Sequence, residues 1–481
     1  MHYWFTIAGE AFLKNKIVWT FIEDICEALQ KDIHKYKTFE DELLTLKTIT
    51  EAKTIYDLEM DMRGVQKWKA DNPGSVRRMS TAPEMPNNAN EYRNKWLSIK
   101  ESDEIICRVF CADHTYTTLK ITVETKADAI KVQAAEKLGM DKVNELVLVE
   151  LKSNAERLPF RDTEISIPTA LTVNGRIFIA HVDHLDALTT LTEQEGPAKG
   201  TGHQLEEFSS QDFAHHLTLY GWQLFHNLDD YELIYHVFGR HNFNEITANL
   251  DVFLRHFNEI QYWTVTELVL EKSLSRRVQL LRKLIKIAGH CKDYQNLNAF
   301  FAIIMGLSNV AVSRLSQTWE RLPNKIKRTF SQYESLIDPS RFVSPPDRRL
   351  NHRRYRIMVS KMSPPLIPFM PLLLKDITFA HEGNKTYVEQ GLVNFEKMHM
   401  IAQTLRTIRE CKSGTISALE ANGGSSSGAK LSATTATTTT TSSSSKSAFS
   451  QQLQQYIQEI KVIDNMRRLS QLSHSLEHRK L

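Results

Sequence analysis

The hydrophobic period of this chain changes twice, and that change limits the architectures open to it. Between Ile105 and Val182 apolar residues alternate. Ile105–Phe110 and Thr115–Val123 are rich in β-branched side chains and read as a hairpin. Ala129–Leu138 then keeps helical spacing, and Leu146–Leu151 and Arg176–Val182 return to strands. The order β-β-α-β-β over about 80 residues fits one compact domain. On both sides the spacing is helical. Ile17, Phe21, Ile25, Ala28 and Leu29 recur on one side, then Phe39, Leu43, Leu44 and Leu46. On the other, Ser209-Ser210-Gln211-Asp212 marks a helix start ahead of Phe213, Leu217, Tyr220 and Leu224. Two longer helices are expected at Thr247–Leu270 and Leu274–His290.

Breaks in composition divide the chain. Residues 61–102 read as a linker holding Pro73-Gly74, Pro83 and Pro86, with a short kinase-type motif, Arg77-Arg78-Met79-Ser80, whose simpler reading is a solvated basic loop. Residues 103–186 form the strand-rich domain, 187–208 a second linker and 209–412 the main helical domain. Residues 413–449 are Gly-, Ala-, Ser- and Thr-rich and are expected to be disordered. The periodic stretch Leu453–Leu476, within 450–481, is expected to form one helix docking back on the helical domain.

Global charge excludes some functions. With 60 basic and 57 acidic residues the net charge is +3, too small a field to draw the chain to nucleic acid. Five scattered cysteines without a CxxC pair argue against a disulfide framework or a zinc site and fit a reducing cytoplasm. No run reaches the roughly 18 uncharged apolar residues of a spanning helix. Glu10, Lys14 and Lys16 interrupt the N-terminal apolar patches, against a signal peptide. Phosphate-loop, dinucleotide, serine-hydrolase and zinc-protease motifs are absent, and the eighteen histidines are dispersed, so no metal or cofactor is expected. A helical half without a nucleophile–base pair would act by binding.

The segment most suggestive of function is Pro364–Asn384, PPLIPFMPLLLKDITFAHEGN. Pro364, Pro365, Pro368 and Pro371 stiffen a run leading into an amphipathic stretch, which should stop at Gly383-Asn384. Read alone, Glu382 is a solvated last-turn residue. Arg108, Lys120, Lys126 and Lys131 gather on the first hairpin and the following helix. They form either a solvated face or a basic strand edge for an acidic partner.

Three blocks in order carry a resemblance: TANLDVFLRHFNEIQYWTVTEL, NLNAFFAIIMGLSNVAVSRLSQTWERLP, and the proline segment followed by LVNFEKMHMIAQTLR. Together they resemble the catalytic domain of Ras-family guanine-nucleotide exchange factors. FGRHNF, RRVQLL and VIDNMRRLSQLSHSLE look like the Epac branch, the cAMP-regulated exchange factors for Rap. DHTYTTLKI and NGRIF resemble that branch's ubiquitin-like (β-grasp) Ras-association domain, and AFLKNKIVWTFIEDI, within 1–60, part of its helical exchanger motif. The resemblance implies a mostly α protein: an all-helical RasGEF domain preceded by the Ras-association domain and a partial exchanger motif. It implies exchange on a Rap-type GTPase, with a GTP-loaded Ras-family protein at the second domain.

By the same resemblance a helical hairpin opens the nucleotide site. Glu382 would repel phosphate and pair the vacated phosphate-loop lysine, and Thr378, one turn earlier, would face the Mg²⁺ site. Asn384 would orient the tip, and Phe369, with Leu372 and Leu373, would anchor the hairpin on its body. Arg255 and Asn298 match GTPase-contacting positions, with Phe369 counted at the same interface, whereas Trp263 and Trp319 read as core. No phosphate-binding cassette for cAMP is present, so no cAMP response is expected. FVSPPDRRL (Phe342–Leu350), Gly391 and the Ser/Thr tract look like insertions. The run Arg348, Arg349, Arg353, Arg354 and Arg356 reads as a solvated loop, with anionic lipid at a peripheral membrane contact or an acidic GTPase face as the alternatives. A GTPase-binding adaptor without exchange activity is the competing function.

Overall fold

The computed structural model describes residues 98–239, 245–337, 353–388, 392–414 and 442–477. The helices expected within 1–60, the Arg77–Ser80 motif, the 342–350 insertion with Arg348 and Arg349, Gly391 and most of the Ser/Thr tract lie outside the described residues. The chain divides into two contact units: Ser98–Gly383 with Thr404–Leu481, and Met1–Leu97 with Asn384–Gln403.

In the first unit, the alternating segment forms a mixed sheet of β1 (Glu104–Phe110), β2 (Tyr116–Thr122), β3 (Leu146–Leu151), β4 (Arg157–Pro159) and β5 (Arg176–His181), in the order β2-β1-β5-β3-β4. β1 pairs antiparallel with β2 and parallel with β5. Helix α1 (Ala127–Leu138) covers one face. There Cys107, Val109, Leu119 and Ile121 meet Ile130, Ala134, Ile177 and Ile179. On the other face Phe110, Val149, Leu151 and Phe178 pack under Leu188 and Leu191.

The segment expected as a linker at 187–208 is therefore ordered at its start. Gln194 Nε2 donates to the carbonyls of Leu151 and Asn174, both at 2.8 Å. Two apolar side chains and one buried amide tie it to the sheet. That cover reaches Phe110 and, through Thr189, the hairpin residue His114, while Ile106, Arg108, Tyr116 and Lys120 of the β1–β2 hairpin stay exposed. The three-residue β4 was not among the expected strands and forms the far sheet edge.

The helical body contains α3 (Ser210–His226), α4 (Asp230–Phe238), α5 (Ala248–Leu270), α6 (Leu274–Asp293), α7 (Leu297–Leu307) and α8 (Asn324–Ile337). Ser209 caps α3 by accepting from the Asp212 amide at 3.0 Å. α5 crosses α7, and Phe253, Phe257, Trp263, Phe300 and Phe301 of these two helices are buried, Phe253 against Phe225 and Trp263 against Phe213 of α3. The crossing is close because of Gly306, where a Cβ would lie 2.7 Å from the Gln261 carbonyl oxygen.

The expected C-terminal helix is two helices, α11 (Ser442–Gln458) and α12 (Met466–Leu476). The break follows from Asn465, whose side chain accepts the first amides of α12, and from buried Val462 and Ile463 just before it. α11 also begins inside the Ser/Thr tract that was expected to be disordered to 449. The Val462–Asn465 link touches both parts of this unit. Asn174 Nδ2 donates to Val462 O (3.0 Å) and Asp464 Oδ1 (2.7 Å), while the Ile463 amide donates to Thr266 Oγ1 at 2.9 Å.

Beyond α12, Glu477 is buried and ion-paired with Arg277 at 3.1 Å. Its carboxylate also accepts from Thr318 Oγ1 at 2.6 Å and from the Gln317 and Thr318 amides. A buried pair is tolerated when its remaining lone pairs are satisfied in this way.

Candidate functional site

The proline segment is fixed before its helix begins. Prolines lack an N–H, so Leu366, Ile367 and Phe369 supply the donors between Pro364 and Phe369. All three are used: Leu366 donates to Cys411 O (3.0 Å), Ile367 to Gln295 O (3.0 Å) and Phe369 to the Tyr355 hydroxyl (2.9 Å). Ile367 O accepts from the Leu297 amide at 2.9 Å, and Gln295 Nε2 donates to Ser363 O and Pro365 O at 3.1 and 3.0 Å. The third block is thus bonded to the turn between α6 and α7 that opens the second block.

Phe369 links the same segment to the core. Its ring stacks on Phe301 with centroids 4.4 Å apart and planes 17° apart, and Phe257 and Tyr355 flank it at 5.7 and 6.3 Å. At 7% exposure it is packed into the core and offers a docked partner little surface, against its expected place at the GTPase interface.

From this foot rises α9 (Met370–Glu382), with Pro371 in its first turn where no helical N–H is needed. Met370, Leu372, Leu373, Leu374, Ile377 and Ala380 are buried. His381 packs on Phe238 of α4 with ring centroids 3.8 Å apart. Arg356 holds the flank through two hydrogen bonds to the Asp376 carboxylate, at 2.8 and 2.7 Å. That arginine, counted in the basic run, is therefore engaged within the chain. The helix ends at Glu382. The Gly383 amide donates to Phe379 O at 3.0 Å, and a Cβ at 383 would approach that oxygen to 2.7 Å.

The free side of α9 carries Lys375, Phe379 and Glu382, all exposed, with Thr378 half-buried. The Thr378 hydroxyl donates to Leu374 O at 2.9 Å, so its proton is committed to its own helix. Phe379 was missed by sequence reasoning, although an aromatic one turn ahead of the helix stop was a visible signal. In the second contact unit, Asn384 O accepts from Lys397 Nζ at 2.9 Å, and the same ammonium donates to Thr386 Oγ1 at 2.9 Å.

Two expected contact residues are placed elsewhere. Arg255 Nη2 donates to Pro168 O at 3.1 Å and to Thr169 O, the carbonyls of the short helix α2 (Ile167–Ala170) in the sheet domain. The guanidinium clamps the sheet domain onto α5; burial lowers its pKa, and the charges of Glu259, Asp251 and Glu150 act against that shift. Asn298 is 3% exposed in the first turn of α7, and its Oδ1 has no hydrogen-bond partner. Asn298 is closed off from a docked protein, whereas Arg255 is half-buried with its Nη2 turned to the sheet domain.

The basic residues of the sheet domain are also divided. Arg108 lies over the Tyr116 ring at 5.3 Å, Lys120 pairs with Glu104 at 2.6 Å, and Lys126 is exposed. Lys131 instead is buried between Asp128 and Asp162, at 3.1 and 2.8 Å, and leaves the basic face. Among the described residues, β2 ends the sheet and has no strand beyond it.

One buried carboxyl lies under the start of α5. Glu232 accepts from Asn249 Nδ2 (2.9 Å) and the Leu250 amide (2.8 Å), and desolvation pushes its pKa up to about 7.

Residues 212–399 match the RasGEF domain family, from the first turn of α3 into α10 (Phe395–Lys412). Over 391 residues the chain is 40% identical to Rap guanine nucleotide exchange factor 5 of Mus musculus, covering 80% of this chain and 44% of that protein. It is 39% identical over 404 residues to Rap guanine nucleotide exchange factor 3 of Homo sapiens, covering 82% and 42%. With Rap guanine nucleotide exchange factor-like 1 of Pongo pygmaeus it shares 38% over 389 residues, covering 79% and 77%. The chain belongs to the Rap guanine nucleotide exchange factor family. It spans 44–61% of the factor 5 proteins it matches, about half their length. In this family member the matched domain contains both the braced foot of α9 and its exposed end. Among the described residues, no helix is long and apolar enough to cross a membrane.

Proposed function

We propose that this chain accelerates GDP release from a Rap-type small GTPase, with α9 as the wedge that enters between the switch segments. An exchange factor must bind the emptied GTPase better than the loaded one, since only differential affinity shifts the equilibrium. A helix able to do this needs a rigid foot and a free, charged end. The observation that carries the reading is that combination in α9: every N–H of its foot is bonded, Phe369 is stacked in the core, and Glu382 is exposed at the last turn. Glu382 would repel the departing phosphates and pair the phosphate-loop lysine they leave behind. The chemistry is non-covalent. Each tenfold acceleration requires about 1.4 kcal/mol of selective stabilisation.

The Epac branch remains our reading of the flanking segments, and a ubiquitin-like Ras-association fold that of the sheet domain. Edge strand β2, with Arg108, Lys120 and Lys126 exposed near it, suits main-chain pairing with a GTP-loaded Ras-family protein. This edge also favours the second reading, an adaptor that binds GTPases without exchanging them. Release of a fluorescent GDP analogue from Rap and from Ras, with wild-type chain and Glu382→Ala, separates the two. An adaptor leaves both rates at their intrinsic values.

A further inference from the structure

The packing of α9 is complete without Phe379. Met370, Leu373, Ile377 and Ala380 already fill the buried side at helical spacing, yet 379 carries a phenyl ring that is 55% exposed. Single exposed apolar residues are ordinary. This one is distinguished by its neighbours. Lys375 lies one turn before it, with Nζ 5.3 Å from the ring centroid, and Glu382 follows three residues later on the same side. The free face of α9 thus reads cation, aromatic, anion over about 10 Å of helix. The ammonium covers one side of the ring and leaves the rest open.

We propose that Phe379 is a GTPase-contacting residue that reads which small GTPase is opened. Its ring seats in an apolar hollow flanked by an acidic group facing Lys375 and a basic group facing Glu382. This rests on the exchange reading above. A large, rigid aromatic gains most from burial where the hollow fits it, and a poorly fitting hollow leaves it half-hydrated. GTPases with similar nucleotide sites but different switch side chains would therefore be separated here, while Glu382 acts on what they share. Lys375 contributes twice, by holding the ring and by selecting the acidic flank.

The test measures kcat/KM for GDP release from Rap and Ras with the whole chain as wild type, Phe379→Ala, Phe379→Leu and Lys375→Glu, alongside thermal unfolding. Phe379→Ala is expected to lower kcat/KM on the preferred GTPase by about 10- to 100-fold, the range of an aromatic anchor. The ratio between the two GTPases should shrink while the unfolding midpoint stays within about 2 °C. Phe379→Leu should fall between wild type and alanine, and Lys375→Glu should lose rate on the same GTPase. An active wild type with Phe379→Ala within twofold on both GTPases overturns the role of Phe379 alone. Loss of activity with an equal loss of stability in both the alanine and leucine variants makes the residue structural and overturns it too. A folded wild type that accelerates release from neither GTPase overturns the exchange reading, and this inference with it.

Discussion

Replacing Phe369 with alanine should loosen the foot of α9 and reveal how far the wedge depends on its anchor. The ring is nearly buried, stacked on Phe301 at 4.4 Å and flanked by Phe257 and Tyr355. Truncating such a phenylalanine removes its transfer energy and leaves a cavity the rigid neighbours cannot fill, about 3–5 kcal/mol in comparable cores. The aromatic pair with Phe301 supplies about 1 kcal/mol of this. The backbone bonds of Leu366, Ile367 and Phe369 do not involve the ring and should persist, so the foot keeps its path but loses its fill. Urea unfolding followed by tryptophan fluorescence gives the stability loss, and Phe369→Leu should show a smaller loss. A double-mutant cycle with Phe301→Ala should return a coupling of about 1 kcal/mol. Exchange measured where the variant is still almost fully folded should drop at least about tenfold, equivalent to about 1.4 kcal/mol of lost wedge positioning. A stability loss below about 1 kcal/mol, or full exchange activity in a clearly destabilised variant, would refute the bracing argument.

Glu232→Gln tests the buried carboxyl. Its folded pKa of about 7 exceeds the ordinary 4.5, so the folded chain holds that proton more tightly than the unfolded one. The resulting stability is complete below about pH 4.5 and is lost as pH rises through about 7, up to about 3 kcal/mol; the glutamine variant should flatten that slope in unfolding curves across this window. Glu477→Ala leaves Arg277 buried without its carboxylate and should cost about 3–5 kcal/mol, seen as early protease cleavage of the C-terminal helices. Cleavage unchanged from wild type would count against the docking role. Arg255→Ala should cost about 1.5–3 kcal/mol through its lost carbonyl bonds while KM for the GTPase stays within about twofold. A raised KM at unchanged stability would return Arg255 to the GTPase interface.

Much of the fold was legible because it is written in local periodicity. The strand pair, α1 and the two long helices fall within a few residues of their expected positions, since alternation and 3.6-residue spacing need no knowledge of distant partners. The end of α9 was legible for the same reason: Gly383 avoids a clash with Phe379 O that any side chain would create. What was hidden depends on residues far away in sequence. Lys131 is buried because Asp162, on another loop, meets its ammonium. Arg255 turns to the sheet domain because two backbone carbonyls lie there, and a carbonyl leaves no mark on residue identity. The break in the C-terminal helix was foreshadowed by Asn465, an N-cap residue type, but the continuous apolar spacing around it masked the signal.

The central claim, that α9 opens a Rap-type GTPase with Glu382 at its working end, is tested most directly by GDP release from Rap with wild-type chain and Glu382→Ala at matched concentrations. Because Glu382 is exposed, the variant should unfold at the wild-type midpoint. The expected result is strong acceleration by the wild type and a fall of about 100-fold or more toward the intrinsic rate in the variant, about 2.7 kcal/mol of lost selective stabilisation. A folded Glu382→Ala chain that releases GDP at the wild-type rate would contradict it.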